Sequence, residues 1–407
     1  MISACLVNPV RLTVRRAGLL RTAANRTTTS TSGSSTMEID SYAMFSRNQY
    51  DAHRLTRNML EGSMERLASR CKLEDDAEPK QNQRRLLADL GSADGSSSLA
   101  TLDFAVRCLQ RNCDTVDSYP LLNITFEEHP ASDENKLKST LESNKEWFEG
   151  NDITWNVLMK SFYEPLFDRN SVDFLMSYIC LHWLDTDLPE GESISHWKAL
   201  GDENRAAACD WVHINEATAP LRVQEAWRSN LAINHLAKFL ALRARELKPG
   251  AEMLLVMVGH PHEFITLKDG TGPLTRAMKR CIGKGKLRSE ILDKTVVPYF
   301  LRTVDDVRAA VNVAETFEID NETPGAKLEL MDCRSIAAVT KDDDNGMDGI
   351  FDLFWSIHVH CIQAASPTEV ELESIKAESR HVFDEVYDSN EGVPSTFVAC
   401  TLRRRQE

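Results

Sequence analysis

The 407-residue sequence predicts an α/β fold: a doubly wound, Rossmann-like parallel sheet with a mostly helical cap built from insertions. Three observations predict it. From residue 84 to about 260, short apolar segments alternate with stretches of helical spacing. One segment, Val172 to Cys180, is apolar almost throughout, as a central strand covered on both faces must be. A turn with two glycines, Gly91-Ser92-Ala93-Asp94-Gly95, follows the first strand, where open parallel sheets bind their ligands.

The elements follow in order. Arg84 to Leu90 reads as a buried strand. Leu99, Leu102, Phe104, Ala105 and Leu109 then recur at roughly helical spacing. A second strand, Leu121 to Phe126, ends on Glu127-Glu128, and Val172 to Cys180 is the third. A long amphipathic helix runs from about Val223 to Leu247 and stops at Lys248-Pro249-Gly250, directly before a strand Met253 to Val258. Beyond Gly259, Thr303-Val304-Asp305-Asp306 looks like an N-cap with acids in the first turn, and Lys341 to Gly346 is a charged loop. Phe351, Phe354 and Trp355 stand at helical spacing, either as a core stripe or as pocket lining, and Ser395 to Leu402 suits a closing strand. One domain over 37–407 is expected. Its sheet core covers about 84–260 plus 395–405, and its cap about 130–160 and 260–395.

Residues 1–36 hold five arginines and no lysine or acid, the composition of a mitochondrial or plastid transit peptide. The rival reading makes Met37 the start of a cytoplasmic protein. Without those arginines the net charge moves from −15 to −20, and so acidic a body repels nucleic acid and anionic membranes. No apolar run is long enough to insert into a bilayer. The ten cysteines form no CxxC pair and look like reduced thiols. His260/His262 and His358/His360 could each share a strand face, but neither pair has a third ligand nearby, so no metal is expected.

The acid Asp89 precedes the glycine turn, an acid closes the next strand, and no basic residue near the turn could grip phosphate. That pattern favours S-adenosyl-L-methionine over a dinucleotide, with Glu127 and Glu128 both candidates for the ribose. At this level the sequence resembles the SABATH methyltransferases. Asp40-Ser41-Tyr42-Ala43-Met44 is similar to their Asn-Ser-Tyr-Ala-Met opening, and Ala88 to Gly95 to their Ala-Asp-Leu-Gly-Cys-Ser-Ser-Gly. Ser161 to Phe167 resembles Ser-Phe-Tyr-Gly-Arg-Leu-Phe, Leu181-His182-Trp183-Leu184 matches Leu-His-Trp-Leu, and Arg243 to Gly250 matches the end of a long helix. The resemblance runs in order over roughly residues 40–310.

It implies a class I methyltransferase fold and S-adenosyl-L-methionine as cofactor. Tyr42, Ser46, Asp89, Gly91, Ser92, Ser97, Glu128, His129, Ser161 and Phe162 would lie around that cofactor. Gln49, His182 and Trp183, with Tyr42, would bind the substrate, a small carboxylic acid; a homodimer is allowed for. A carboxylate is ionised at neutral pH, so no catalytic acid or base is required, only in-line placement and N–H donors. The family's Lys-Gly-Gly is absent, Ser34 standing there, and its pocket tyrosine is Ile179, with Tyr178 one place away. Asp293-Lys294 is followed by Thr295-Val296 rather than Phe-Asn, and the asparagine-bearing stretch before the long helix is missing. The last two changes remove residues associated with a metal, and the first two alter the acceptor pocket. The other readings are methylation of a purine-like ring nitrogen and a catalytically silent ligand- or partner-binding homologue.

Overall fold

The central strands are the ones with no hydrophilic side to show. In the computed structural model, which describes residues 47–77, 84–113, 119–184, 211–263, 266–317, 327–340, 346–387 and 391–406, seven strands form one sheet. They are β1 (Arg85–Leu90), β2 (Leu122–Glu128), β3 (Ile153–Met159), β4 (Val172–Tyr178), β5 (Leu247–Val258), β6 (Leu328–Thr340) and β7 (Val393–Arg404), in the order β3-β2-β1-β4-β5-β7-β6. Strands β1 to β5 pair in parallel, while β7 runs antiparallel to both β5 and β6. All seven residues of β4 are buried, as its unbroken apolar run requires. The segment 1–36, with Tyr42, Ser46 and the loop 341–345, lies outside the described residues.

Two helices, α1 (Arg47–Leu55) and α2 (Arg57–Ala77), precede β1, and α3 (Ser96–Arg111) crosses from β1 to β2. The crossover to β3 holds α4 (Glu134–Ser143) and α5 (Lys145–Gly150). The long helix before β5 is one continuous rod: α6 (Leu221–Ala226), a π-helical stretch Trp227–Ile233, and α7 (Asn234–Glu246). After β5 come α8 (Pro273–Gly283), α9 (Ser289–Lys294) and α10 (Val304–Ala314), then α11 (Gly346–Ala364) and α12 (Glu369–Val386) between β6 and β7. Thr303 caps α10 as its sequence predicts, accepting from Asp306 N while the Asp306 carboxylate accepts from Thr303 N at 2.7 Å.

Two assignments to the cap are corrected. Within 130–160, Ile153–Met159 is not roof but the edge strand β3; within 260–395, Leu328–Thr340 is the opposite edge strand β6. Helix α10, also placed in the roof, packs instead on α7 and β6. Edge strands face water along one side, so polar residues interrupt their apolar pattern: Asp332 and Arg334 even pair with one another on β6 at 2.6 Å. The cap is carried by α8, α11 and α12, which pack together. Phe351 and Phe354 are buried there against Phe383, at centroid distances of 5.6 and 4.5 Å, so that stripe is core.

At the strand N-termini a buried carboxylate gathers charge. Asp173 accepts from Lys248 Nζ at 2.9 and 2.8 Å, from Arg70 at 3.3 Å and from Leu86 N at 2.9 Å, with Arg85 3.6 Å away. This cluster ties β4 to α2, β1 and β5 at the end of the sheet away from the glycine turn.

Candidate active site

The turn after β1 needs glycine at its first position. Gly91 has φ +75°, and a Cβ there would sit 2.6 Å from Cys180 Sγ, so no side chain fits. The turn is held against β2 from below. Gly91 N and Ser92 N donate to the Glu127 carbonyl, each at 3.0 Å, and Gly91 N also approaches Glu127 Oε2 at 3.1 Å. Glu127 is fully buried. Burial, with the Glu128 charge adding to it, pushes its carboxyl well above the usual range.

Glu128, next on β2, faces the other way and reaches the turn from the side. Its Oε2 accepts from Ala93 N at 2.6 Å, and its Oε1 from His129 N at 2.9 Å and Ser132 Oγ at 3.0 Å. Glu127 thus bonds to the start of the turn, at Gly91, and Glu128 to its middle, at Ala93. His129 is exposed, its Nδ1 accepting from Ala131 N.

A cleft opens between this turn, the first two turns of α3 and α1. It is lined by Gln49, His53, Asp89, Gly91, Ser92, Ser97, Ser98, Thr101, Met176 and Tyr178. The structure therefore brings together five residues expected from sequence: Gln49, Asp89, Gly91, Ser92 and Ser97. Asp89 is buried and accepts from Ser92 Oγ at 2.9 Å. Burial raises its carboxyl to about 6, against the pull of the Ser98 and Ser92 hydroxyls. Gln49 is 7% exposed, yet its side-chain amide makes no hydrogen bond among the described residues. Sequence reasoning missed His53, Thr101 and the placement of Tyr178. The available signal was spacing, because His53 follows Gln49 by one helical turn. Burial lowers His53 to about 3, so its ring is neutral.

The other expected residues are not among those lining that cleft. Ser161 and Phe162 follow β3. Ser161 Oγ accepts from Tyr163 N at 3.2 Å, and the half-buried Phe162 ring packs on Tyr163 and Phe239. His182 and Trp183 follow β4 and pack on Tyr299, at centroid distances of 5.4 and 5.0 Å. Two backbone bonds splint this pair: Leu184 N to Pro298 O at 2.8 Å and Phe300 N to His182 O at 2.9 Å. His182 is buried, which lowers its ring to about 3, and its Nδ1 has no partner among the described residues. His358 turns inward to His213, Nε2 to Nε2 at 3.1 Å. Among the described residues no three His, Cys, Asp or Glu side chains gather as a metal site would require.

The family model for SAM-dependent carboxyl methyltransferases matches residues 28–345. The chain belongs to this family. The match starts inside the segment 1–36 expected to lie outside the fold. Among curated methyltransferase relatives, inactive anthranilate O-methyltransferase 1 of Zea mays is 24% identical, over 59% of this chain and 64% of its own. Loganic acid O-methyltransferase of Catharanthus roseus is 23% identical, over 58% and 60%, and a probable caffeine synthase of Coffea canephora 27%, over 69% and 71%. The chain thus spans less than two thirds of the first two relatives' length. A solved loganic acid methyltransferase with SAH superposes with a TM-score of 0.66 at 17% identity, over 90% of this chain and 96% of that one. The sheet is accordingly a class I methyltransferase fold. The residues present fit the methyltransferase cofactor, S-adenosyl-L-methionine. Asp89 can accept from an ammonium, Glu128 keeps lone pairs for ribose hydroxyls, and among the described residues no Lys or Arg lines the cleft to meet phosphate. Among the described residues no helix is long and apolar enough to cross a membrane.

Proposed function

We propose that this protein is a carboxyl O-methyltransferase, which moves the methyl group of S-adenosyl-L-methionine onto the carboxylate of a small, largely apolar acid. Bound beside Asp89 and Glu128, the cofactor supplies an electrophilic methyl group. The chain's own residues have a positioning task. Asp89 and Ser97 hold the amino-acid end, Glu128 and His129 the ribose, and Ser161 and Phe162 the adenine. Gln49 and Trp183 offer N–H donors to the two oxygens of the acceptor, leaving one lone pair aimed at the methyl carbon. The acceptor carboxylate is already ionised, so no residue needs to move a proton.

The observation that carries this reading is Gln49, a buried amide without a hydrogen-bond partner among the described residues, in the same cleft as Asp89. That amide lines the cleft, where a ligand oxygen can accept from it. Gln49→Ala should leave cofactor affinity unchanged and cut turnover on the best acid about 10- to 100-fold, the effect of one lost hydrogen bond of about 1–3 kcal/mol. The substrate itself is found by offering methyl-labelled cofactor with aromatic, fatty and terpenoid acids and with xanthines, read by mass spectrometry. Wild-type turnover by Gln49→Ala contradicts the clamp, and label on xanthine alone contradicts the acid.

Cofactor affinity should also depend on pH through Asp89. Its carboxyl titrates at about 6 in the free protein, and an ammonium beside it favours the ionised form. Below about pH 6 binding must expel a proton, so affinity should fall toward tenfold per pH unit as pH drops. Calorimetry between pH 5 and 8 checks this. Asp89→Asn should bind more weakly and without that slope; a wild-type affinity flat across the range contradicts the role given to Asp89.

A further inference from the structure

His53 stands four residues after Gln49 on α1, so the two side chains leave the same face of the helix, and both line the cleft. His53 Nδ1 lies 2.6 Å from Thr101 Oγ1, whereas that hydroxyl's other neighbour, the Ser97 carbonyl, is 3.5 Å away. A hydroxyl has one hydrogen to give, and the near nitrogen is much the better acceptor. The ring's own proton is then on Nε2. Edge-to-face packing on Tyr178, with centroids 4.3 Å apart at 88°, fixes the ring plane. Nε2 has no partner among the described residues.

The surroundings identify what that N–H meets. Asp89, on the same cleft, can only accept while ionised, and the N-terminal end of α3 favours negative charge. A carboxylate beside Asp89 is favoured when a cationic group accompanies it, as the ammonium of a zwitterion does. A zwitterion fits, with its ammonium on Asp89 and its carboxylate on neutral donors from the α1 side.

We propose that His53 is a cofactor-binding residue, its Nε2–H donating to the carboxylate at the amino-acid end of the cofactor. This rests on the cofactor reading above. Two nucleosides separate the contributions: S-adenosylhomocysteine carries the amino-acid end, and 5′-methylthioadenosine lacks it. His53→Ala should weaken S-adenosylhomocysteine about tenfold or more, as loss of a hydrogen bond to a charged group does, and leave 5′-methylthioadenosine unchanged. His53→Gln, whose amide nitrogen reaches near the Nε2 position, should recover most of the loss. If His53→Ala does not fold, His53→Phe keeps a ring against Tyr178 and should give the same contrast. Equal weakening of both nucleosides would mark a packing defect and overturn the proposal. So would unchanged S-adenosylhomocysteine affinity, including the case where only the KM for the acid rises. Wild-type protein that binds neither nucleoside would sink the cofactor reading and this inference together; an indifferent His53→Ala sinks the inference alone.

Discussion

Asp173→Ala should cost about 3 kcal/mol or more of folding stability, the range for breaking a buried ion pair, and leave cofactor affinity intact. The Asp173 side chain is fully buried, and Lys248, Arg70 and Arg85 converge on it while staying at most 19% exposed. Alanine would leave these cations facing one another and Leu86 N without its acceptor. Arg85 keeps its bond to Glu74, which tempers the loss. The cluster lies at the start of β4, whereas Tyr178 at the other end of that strand lines the cleft. Denaturant unfolding and a cofactor titration of the same variant check both halves. An unchanged midpoint contradicts the structural role, and a lost affinity contradicts the separation of the two ends.

Glu128→Ala should weaken cofactor binding by about 1.5–3 kcal/mol, the range for a hydrogen bond to a charged group. The same carboxylate accepts the Ala93 amide at 2.6 Å, so its loss also loosens the turn the cofactor would rest on. Glu127→Gln gives the contrast. Burial raises the Glu127 carboxyl, and its work is to accept from Gly91 N, which an amide oxygen does as well. The variant should bind cofactor nearly as the wild type does. The folded-state carboxyl lies above its unfolded value, so the wild type forfeits stability as pH rises from the unfolded pKa toward the folded one; glutamine removes that dependence. If Glu127→Gln loses the cofactor and Glu128→Ala keeps it, the two roles are exchanged.

The two glutamates show how far local sequence reaches. That an acid ends β2 beside a glycine turn was legible, because strand and turn are read from neighbouring residues. Which acid bonds to which turn amide was not, since it depends on the register of β2 against β1, where Glu127 pairs with Leu90. The same limit explains the sheet. Strand β4 was plain from its apolar run, whereas β3 and β6 each show one side to solvent and their polar residues read as insertion. Gln49, Asp89, Gly91, Ser92 and Ser97 were legible through the resemblance and meet in one cleft. His53 was marked only by its spacing from Gln49, because its partner Thr101 lies 48 positions away and meets it through packing of α1 on α3.

Whether a carboxylate oxygen receives the methyl group is read from the stability of the labelled product in mild base. Wild-type protein is incubated with methyl-labelled S-adenosyl-L-methionine and the acid it uses best, and the product is treated with dilute alkali. A methyl ester is hydrolysed there, whereas a methyl group on a ring nitrogen stays in place. Label should be released as methanol with the acid regenerated; label that survives the alkali, or no transfer to any acid, would contradict methylation of a carboxylate.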